Sequence, residues 1–443
     1  MSGKSPRKLF DRRSFLKGAG TALVASAGAG LVPGFLRRTL APTGFGIASA
    51  ADPAPDLFYA GTDGWISLPA TPPILPFHPD PYAPAGLSTY IFGFRNVTNL
   101  SDVQRAAQKN KAQHSAPMFW VRQGTEFRMQ LTNLGLALRP DLFDAHTIHW
   151  HGFRNVIPFF DGEPTGSVSV PAGRVFTYVY RPREPGTYMF HCHVEDVEHV
   201  HMGMTGLVFV RPSQDGNVSL YPSGRYAYND GDGSTGFDRE FAMFLSEVWA
   251  EAHWADAHIQ LPEWTDYRAD FAMLNGRVYP DTLAPSGSID PFNPVRDANG
   301  DLIPPSGYPN LKYQPISSLV RCNAGERVLL RFANLGFKEA AMTLAGIPMR
   351  VVGKDATPMR GRDGTDTSYR ASTVSFGAGE SIDAIFTAPA HSGGAGPDKY
   401  VLYNRAYARS NNLAGGFGGQ RTEVHVYPAT PRLALQLYPN HNP

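Results

Sequence analysis

The chain has 443 residues, of which 42% are hydrophobic, so it can bury more than one core, and its length favours two or three domains. Its 40 basic and 39 acidic residues give a formal net charge of +1 without a block of like charge, which argues against nucleic acid or an anionic membrane surface as a partner. Abundant Gly and Pro between short runs of Val, Tyr and Phe predict strands joined by turns rather than long helices.

The N-terminal stretch has the features of an export signal. Arg12 and Arg13 precede an Ala/Gly-rich apolar segment, and Ala48-Ser49-Ala50 is a small-residue cleavage pattern. The pattern resembles a twin-arginine signal peptide over residues 1–50, which predicts a periplasmic or secreted protein. The alternative is a retained anchor, but repeated Gly and Pro interrupt the apolar run, so we expect no stable membrane anchor.

An internal repeat organises the rest of the chain. Residues 124–135 and 325–336 each place a turn Gly before an alternating strand that ends in Asn-Leu-Gly. Two copies of one β unit predict an all-β protein of two Greek-key β-sandwich domains in tandem. The predicted parts are a first domain at 52–211, a linker at 212–238, a second domain at 239–430 with a long surface loop at 282–315, and a C-terminal tail at 431–443.

Seven of the 14 histidines lie between residues 146 and 201, beside Cys192, one of only two cysteines. In extended strands, His149 and His151 point to one face, as do His191 and His193, whereas Cys192 points to the opposite face. Pairing the two strands would gather these four histidines on one side and bring Cys192 to His146 on the other. The chain would then form two groups of metal ligands.

His199 and Met204 follow Cys192 and complete a set of two imidazoles, a thiolate and a soft thioether. This set is typical of blue copper, which cycles between two oxidation states with little rearrangement. His201 and Met202 are rival candidates for the last two ligands. Zinc would also accept Cys and His, but the whole ordered constellation favours copper. Cys322 is expected to be a small buried hydrophobe, so no disulfide is predicted.

At this point the sequence resembles a two-domain, laccase-like multicopper oxidase with its type 1 copper in the first of two cupredoxin-like domains. The motifs that carry the resemblance are His149-Trp-His151-Gly, Asp161-Gly162, Pro171-Ala-Gly173, Gly186-Thr-Tyr188 and His191-Cys-His193 with Gly203-Met204. The resemblance implies a type 1 copper on His146, Cys192, His199 and Met204, a type 2 ligand at His149, and type 3 ligands at His151, His191 and His193.

The second copy of the repeat departs from this pattern. Aligning Gly346 with Gly152, and Tyr400 with Tyr188, places no histidine or cysteine where the first domain has its ligands. The residues at the six equivalent positions are Ala340, Thr343, Ala345, Tyr403, Asn404 and Arg405. The second domain is therefore expected to be free of copper, and the four paired histidines of the first domain form half of a cluster.

The resemblance implies a copper-dependent oxidoreductase in which a small-molecule or protein donor gives single electrons to the type 1 copper. They would pass through Cys192 to His191 or His193, with Asp161 as a candidate proton relay. Reduction of dioxygen would need a trinuclear cluster completed by another polypeptide. The alternatives are a non-enzymatic blue-copper electron carrier, and a nitrite-reductase-like trimer with a type 2 copper between subunits.

Overall fold

Four β-sheets and a few short helices make up the parts of the chain that the computed structural model describes, residues 53–413 and 417–442. The all-β prediction is confirmed. The predicted signal peptide at 1–50 lies outside the described residues, so export stays a prediction. Within the described ranges, no helix has the length and apolar character needed to cross a bilayer.

Eight strands build two sheets in the first half of the chain. One sheet has the order β2-β1-β4-β6 and the other β3-β8-β7-β5. Apolar residues alternate with half-exposed ones along β4, which packs its buried face on the core between the sheets. The strands are β1 (Leu57–Ile66), β2 (Thr89–Asn96), β3 (Phe119–Arg122), β4 (Phe127–Gly135), β5 (His149–His151), β6 (Val175–Tyr180), β7 (Gly186–His191) and β8 (Thr205–Arg211).

Two further sheets enclose a second core. One runs β10-β9-β12-β18-β14-β15 with β16 beside β14, and the other runs β11-β20-β19-β13-β17. The strands are β9 (Arg239–Val248), β10 (Phe271–Leu274), β11 (Val320–Asn323), β12 (Arg327–Asn334), β13 (Ala340–Leu344), β14 (Met349–Lys354), β15 (Thr357–Pro358), β16 (Tyr369–Ala371), β17 (Thr373–Phe376), β18 (Ser381–Thr387), β19 (Asp398–Asn404) and β20 (Arg421–Tyr427).

Within the described residues, three short α-helices lie between the strands: α1 (Asp102–Ala106), α2 (Asp196–Met202) and α3 (Ala250–Ala257). Single 3-10 turns occur at Pro158–Phe160, Trp264–Asp266, Asp281–Leu283, Pro309–Leu311 and Tyr407–Arg409. Helix α2 packs against β2 and β9, and α3 packs against β2. The segment after β9 therefore folds back over a strand of the first pair of sheets.

The predicted repeat is visible at equivalent atoms in the two halves. Asn133 and Asn334 each accept a hydrogen bond from the glycine two residues later, at 2.8 and 2.9 Å, which closes the same side-chain turn after β4 and after β12. Gly152 and Gly346 both have positive φ, of 86° and 80°. Each of these glycines lies against a tyrosine of the neighbouring strand, as the alignment assumes.

The stretch at 282–315 differs from the plain surface loop expected from its Pro, Asp and Gly content. Asp301 accepts a 2.6 Å hydrogen bond from Arg95 of β2, whose side chain is fully buried. Arg296 donates to the carbonyl oxygen of Asn96 at 2.8 Å. A buried guanidinium needs a carboxylate partner, and this loop supplies it, so the loop packs onto β2 rather than standing free.

Candidate metal centre

Cys192, His146 and His199 bring their ligand atoms together in the core of the first pair of sheets. The three atoms lie within 4.8 Å of one another, and all three residues are fully buried. Cys192 Sγ is 3.2 Å from Nδ1 of His199, and the rings of His146 and His199 have centroids 5.1 Å apart. The structure thus brings Cys192 together with His146, which strand alternation places on the same side, and with His199, which follows Cys192 along the chain.

The backbone around Cys192 ties this group to its neighbours in the chain. The Cys192 N–H donates to the carbonyl oxygen of Met204 at 3.0 Å. The Thr147 N–H points at the Cys192 sulfur at 3.4 Å, which is the usual kind of support for a thiolate. Thr147 also accepts a 2.9 Å hydrogen bond from the His193 N–H through its hydroxyl. Sequence reasoning missed this threonine, because no motif distinguishes it.

The end of helix α2 fixes the spacing between His199 and Met204. Gly203 has φ of 118°, and its N–H donates to the carbonyl of Val200 at 3.2 Å. The Met204 N–H donates to the carbonyl of His199 at 2.9 Å. These two bonds are the pattern of a Schellman C-cap, which favours Gly at the left-handed position. One turn therefore presents the imidazole of His199 and the thioether of Met204 together.

Gly61 of β1 provides the space in which Met204 meets His146. A Cβ placed on Gly61 would lie 2.7 Å from Cδ2 of His146 and 3.3 Å from the Met204 methyl carbon. Both side chains therefore border the same point, and Met204 is fully buried there. Met204 thus lies beside the Cys192 group, where the sequence places the fourth ligand.

The chemistry of this group fits a soft metal cation. Neither ring nitrogen of the buried His146 has a hydrogen-bond partner among the described residues, which is costly unless a ligand uses it. Burial alone would raise the pKa of Cys192, but the imidazoles of His199 and His146 bring it well below its usual value. Burial opposes a charged His199, yet the Cys192 thiolate and Asp144 raise the pKa of His199 to about 10. A cation can replace the proton of such a thiolate–imidazolium pair.

Asp144 is a second residue that sequence reasoning missed. Its Oδ2 atom lies 3.5 Å from Nε2 of His199, on the side of the ring opposite to Cys192. The Asp144 side chain is 11% exposed, whereas that of His199 is inaccessible. A carboxylate behind an imidazole orients the ring and makes its other nitrogen a better donor. Asp144 is two residues before His146, and its contact with His199 depends on tertiary structure.

The second group of histidines forms where β5 and β7 pair. His149 lies opposite His191 in this antiparallel ladder, and His151 lies opposite Met189. One ring nitrogen each of His149, His151 and His191 falls within a common 4.8 Å. His193 stands beside them, with ring centroids 4.9 Å from His149 and 5.5 Å from His191. The predicted half-cluster is therefore present, with His193 at its edge.

Backbone carbonyls fix the orientation of the three closest rings. His149 Nδ1 faces the Asp161 carbonyl at 2.9 Å, His191 Nδ1 faces the Cys192 carbonyl at 2.8 Å, and His151 Nε2 faces the Gly379 carbonyl at 3.0 Å. A carbonyl only accepts, so each of these nitrogens carries the proton. The remaining nitrogens of the three rings carry lone pairs, and those of His151 and His191 face each other at 3.4 Å, where a metal could bind both.

Burial keeps these imidazoles neutral, as metal binding requires. It lowers the pKa of His191 to about 3, and it lowers the pKa of both His149 and His151. The nearest carboxylate is Asp161, whose Oδ1 lies 3.6 Å from Nδ1 of His149. Burial raises the pKa of Asp161. Gly379, which comes from the second pair of sheets, is the third residue that the motifs did not reveal.

The rival ligands and the second cysteine face other surroundings. His201 is buried away from the Cys192 group: its Nε2 accepts a 3.0 Å hydrogen bond from the Trp249 N–H, and its ring packs against His253. Met202 is fully buried in the apolar core. Cys322 is also buried, and burial raises its pKa to about 12, which is typical of an inert structural thiol.

Comparison with known proteins matches part of this chain to a family. A family model described as multicopper oxidase matches residues 91–214. This part of the chain is a multicopper oxidase domain. The multicopper oxidase mgLAC has a similar fold, with a TM-score of 0.55 at 21% identity, covering 83% of this chain and 85% of that one. The blue copper oxidase from Nitrosomonas europaea has a TM-score of 0.52 at 18% identity, with the same coverage of both chains.

Laccase-5 from Arabidopsis thaliana is 22% identical over 292 residues, which are 64% of this chain and 40% of the plant protein. This chain therefore spans less than half of that relative's length. The second pair of sheets lacks the ligands in its equivalent ladder, where Thr343 of β13 lies opposite Tyr403 of β19 and Met342 lies opposite Asn404. Within the described ranges, every group of three or more His, Cys, Asp or Glu ligand atoms lies in the first pair of sheets.

Proposed function

We propose that this protein is an exported copper-dependent oxidoreductase resembling a multicopper oxidase, in which the Cys192 group is a type 1 copper centre that accepts single electrons from a donor. The ligands would be His146, Cys192, His199 and Met204. Copper held by a thiolate, two imidazoles and a weak thioether exchanges one electron at a time with little change of geometry. The unpartnered nitrogens of buried His146 are the observation that carries the proposal.

The chain itself links the two groups of ligands. Cys192 is bonded to His191 through one peptide, and the two side chains leave the strand on opposite faces. The carbonyl of Cys192 also accepts the Nδ1 proton of His191 at 2.8 Å. A covalent route and a hydrogen bond thus join the Cys192 thiolate to the half-cluster. Both favour electron transfer from the Cys192 centre to His191. His193 offers a second route of the same length along the chain.

The half-cluster is proposed to hold a metal through His149, His151 and His191, with His193 at its edge. Asp161 is the carboxylate placed to exchange protons there, since it lies beside His149. The trinuclear arrangement implied by the family resemblance needs more histidines than this site contains. Thr343 and Tyr403, opposite each other in the equivalent ladder, offer no imidazole to a second copy of the chain.

A non-enzymatic blue-copper electron carrier is the second candidate. The absence of ligands at the equivalent positions of the second pair of sheets favours it, because a carrier needs only the Cys192 centre. An oxidase would consume dioxygen with a phenolic or metal-ion donor, whereas a carrier would accept electrons without turnover. Both functions use the Cys192 centre, and they differ in whether the histidine half-cluster holds a working metal site.

Metal content and oxygen uptake of the purified, copper-loaded chain distinguish these functions. One copper per chain, an intense visible thiolate band and no oxygen uptake would end the oxidase proposal. Three or more coppers per chain with steady uptake would end the carrier alternative. The His151→Gln variant is expected to keep the visible band and to lose metal from the half-cluster only.

Replacing Cys192 by serine tests the first site directly. The Cys192→Ser variant should lose the visible band, because the band needs a thiolate on copper. Cys322→Ser is the matched control, since Cys322 is equally buried and lies in the core of the second pair of sheets. Absorbance and copper content are measured on both proteins. A band that survives in Cys192→Ser, or disappears in Cys322→Ser, would contradict the assignment.

A further inference from the structure

A cavity of about 440 Å³ on the second pair of sheets is lined by three arginines. Strand register brings them to one face: Arg350 of β14 lies directly opposite Arg370 of β16, and Arg327 of β12 lies opposite Thr387 of β18, which also lines the cavity. Like charges directly opposite each other destabilise a pair of strands. The repulsion is built into the sheet and has to be offset by some other interaction.

The two inner guanidiniums share a neutral acceptor instead of a carboxylate. Arg327 and Arg350 both donate through Nη2 to the carbonyl oxygen of Ser234, in the segment before β9. This contact holds two positive charges at one oxygen atom. Burial lowers the pKa of Arg327, and the charge of Arg350 lowers it further, although Tyr221 and Asp238 oppose this shift.

The acidic groups around the cavity lie near Arg327 and Arg350 rather than near Arg370. Asp366, which is half exposed, lies 3.6 Å from Nη1 of Arg350. Asp238 is occupied by the Arg327 N–H at 2.8 Å and by the Tyr221 hydroxyl at 2.7 Å. In the part of the chain that the structure describes, the side chain of Arg370 has neither a hydrogen bond nor an ion pair, and it is exposed at the cavity.

We propose that this cavity is a binding site for a small anion that carries two or more negative charges on oxygen. Guanidinium groups form paired hydrogen bonds with carboxylate and phosphate oxygens, and the cavity has the size of a small-molecule site. Arg327 and Arg350 share one neutral carbonyl oxygen, and the Arg370 side chain has no carboxylate partner among the described residues, so an anion with several charged oxygens can contact more than one guanidinium. The site is separate from the copper ligands, so it neither supports nor depends on the proposed redox function.

Calorimetric titration of the full copper-loaded chain with pyrophosphate and with citrate, at constant ionic strength, tests this site. At least one of them should bind saturably at one molecule per chain, and the comparison shows whether phosphate or carboxylate oxygens are preferred. Arg370→Gln should weaken that binding roughly tenfold or more, because it removes a charged donor from an exposed position without touching the core.

Arg122→Gln is the matched control, since Arg122 is an exposed arginine on β3 and the charge change is the same. It should bind the anion as the unaltered chain does. Copper content and the visible band should stay unchanged in both variants, which shows that each has folded. Absence of saturable binding by either anion, or equal weakening in the two variants, would overturn the proposal.

Discussion

Gly61 shows how a residue without a side chain shapes the candidate metal centre. We expect Gly61→Ala to weaken copper binding roughly tenfold or more, because its Cβ would lie 2.7 Å from the His146 ring and would displace it. Competition with a chelator, followed by the visible band, measures this change. Gly394→Ala is the control, since its Cβ would make only an ordinary contact with Ser392. Equal copper affinity in the two variants would refute the role of Gly61.

At the scale of single residues, the sequence predicted which histidines would share a face. Strand alternation is a local property, so it was enough to separate His149 and His191 from Cys192. Asp144 and Gly379 were not predictable in this way. Their contacts with the histidine rings depend on which loop and which distant sheet pack nearby. A local sequence pattern does not predict this tertiary packing.

At the scale of elements, the turn that ends α2 joins two candidate ligands. We expect Gly203→Ala to lower stability by about 1–3 kcal/mol, because alanine is strained at a φ of 118° and its Cβ would lie 2.6 Å from the His114 ring. The visible band should also shift as Met204 moves. Thermal unfolding and absorbance of the copper-loaded protein measure both effects.

The Gly124→Ala variant separates the effect of backbone strain from the effect of a steric clash of the added Cβ. Gly124 has φ of 73°, and nothing lies within 4 Å of its added Cβ, so only the backbone cost of about 1 kcal/mol should appear. Its visible band should not change. Identical band positions in Gly203→Ala and the unaltered protein would show that the turn does not position Met204.

The sequence did not reveal helix α2, which the structure forms between Cys192 and Met204. A helix of seven residues is too short to show a periodic apolar pattern, and it begins after Glu195 with φ of 48°, which no motif predicts. Helix α3 was likewise missed. Its residues pack against β2, a strand more than 150 positions earlier, so only tertiary structure reveals its place.

At the scale of the whole molecule, a buried ionic network joins the two pairs of sheets. Glu240 of β9 accepts hydrogen bonds from Arg211 of β8 at 2.7 Å and from Arg331 of β12 at 3.0 Å. Arg331 also donates to the Thr187 hydroxyl of β7 at 3.1 Å. We expect Glu240→Gln to destabilise the fold by about 3 kcal/mol, because it removes the carboxylate that Arg211 and Arg331 share and leaves Arg331 only its 3.4 Å ion pair with Asp383.

The same carboxylate predicts how stability depends on pH. Burial alone would raise the pKa of Glu240, but Arg211 and Arg331 hold it at about 2, below its ordinary value of 4.5. Its contribution is fully present above pH 4.5 and is lost as the pH falls towards 2. Denaturant unfolding from pH 6 to pH 3 should therefore show a smaller loss of stability in Glu240→Gln than in the unaltered chain.

Glu184→Gln is the control, because Glu184 pairs with Arg154 at the surface, where both side chains are about half exposed. An exposed pair contributes roughly 0–1 kcal/mol, so this variant should unfold like the unaltered chain. If both variants lose the same stability, the network does not hold the sheets together.

The complete burial of His146, Cys192, His199 and Met204 constrains any reductant under the proposed function. A donor cannot touch these side chains, so its electron has to tunnel through intervening protein atoms. The rate would then depend on reduction potential and on distance of closest approach rather than on a fitted pocket. Chemically unrelated donors of similar potential would be oxidised at similar rates, and the outer surface near Asp144 would set the shortest path.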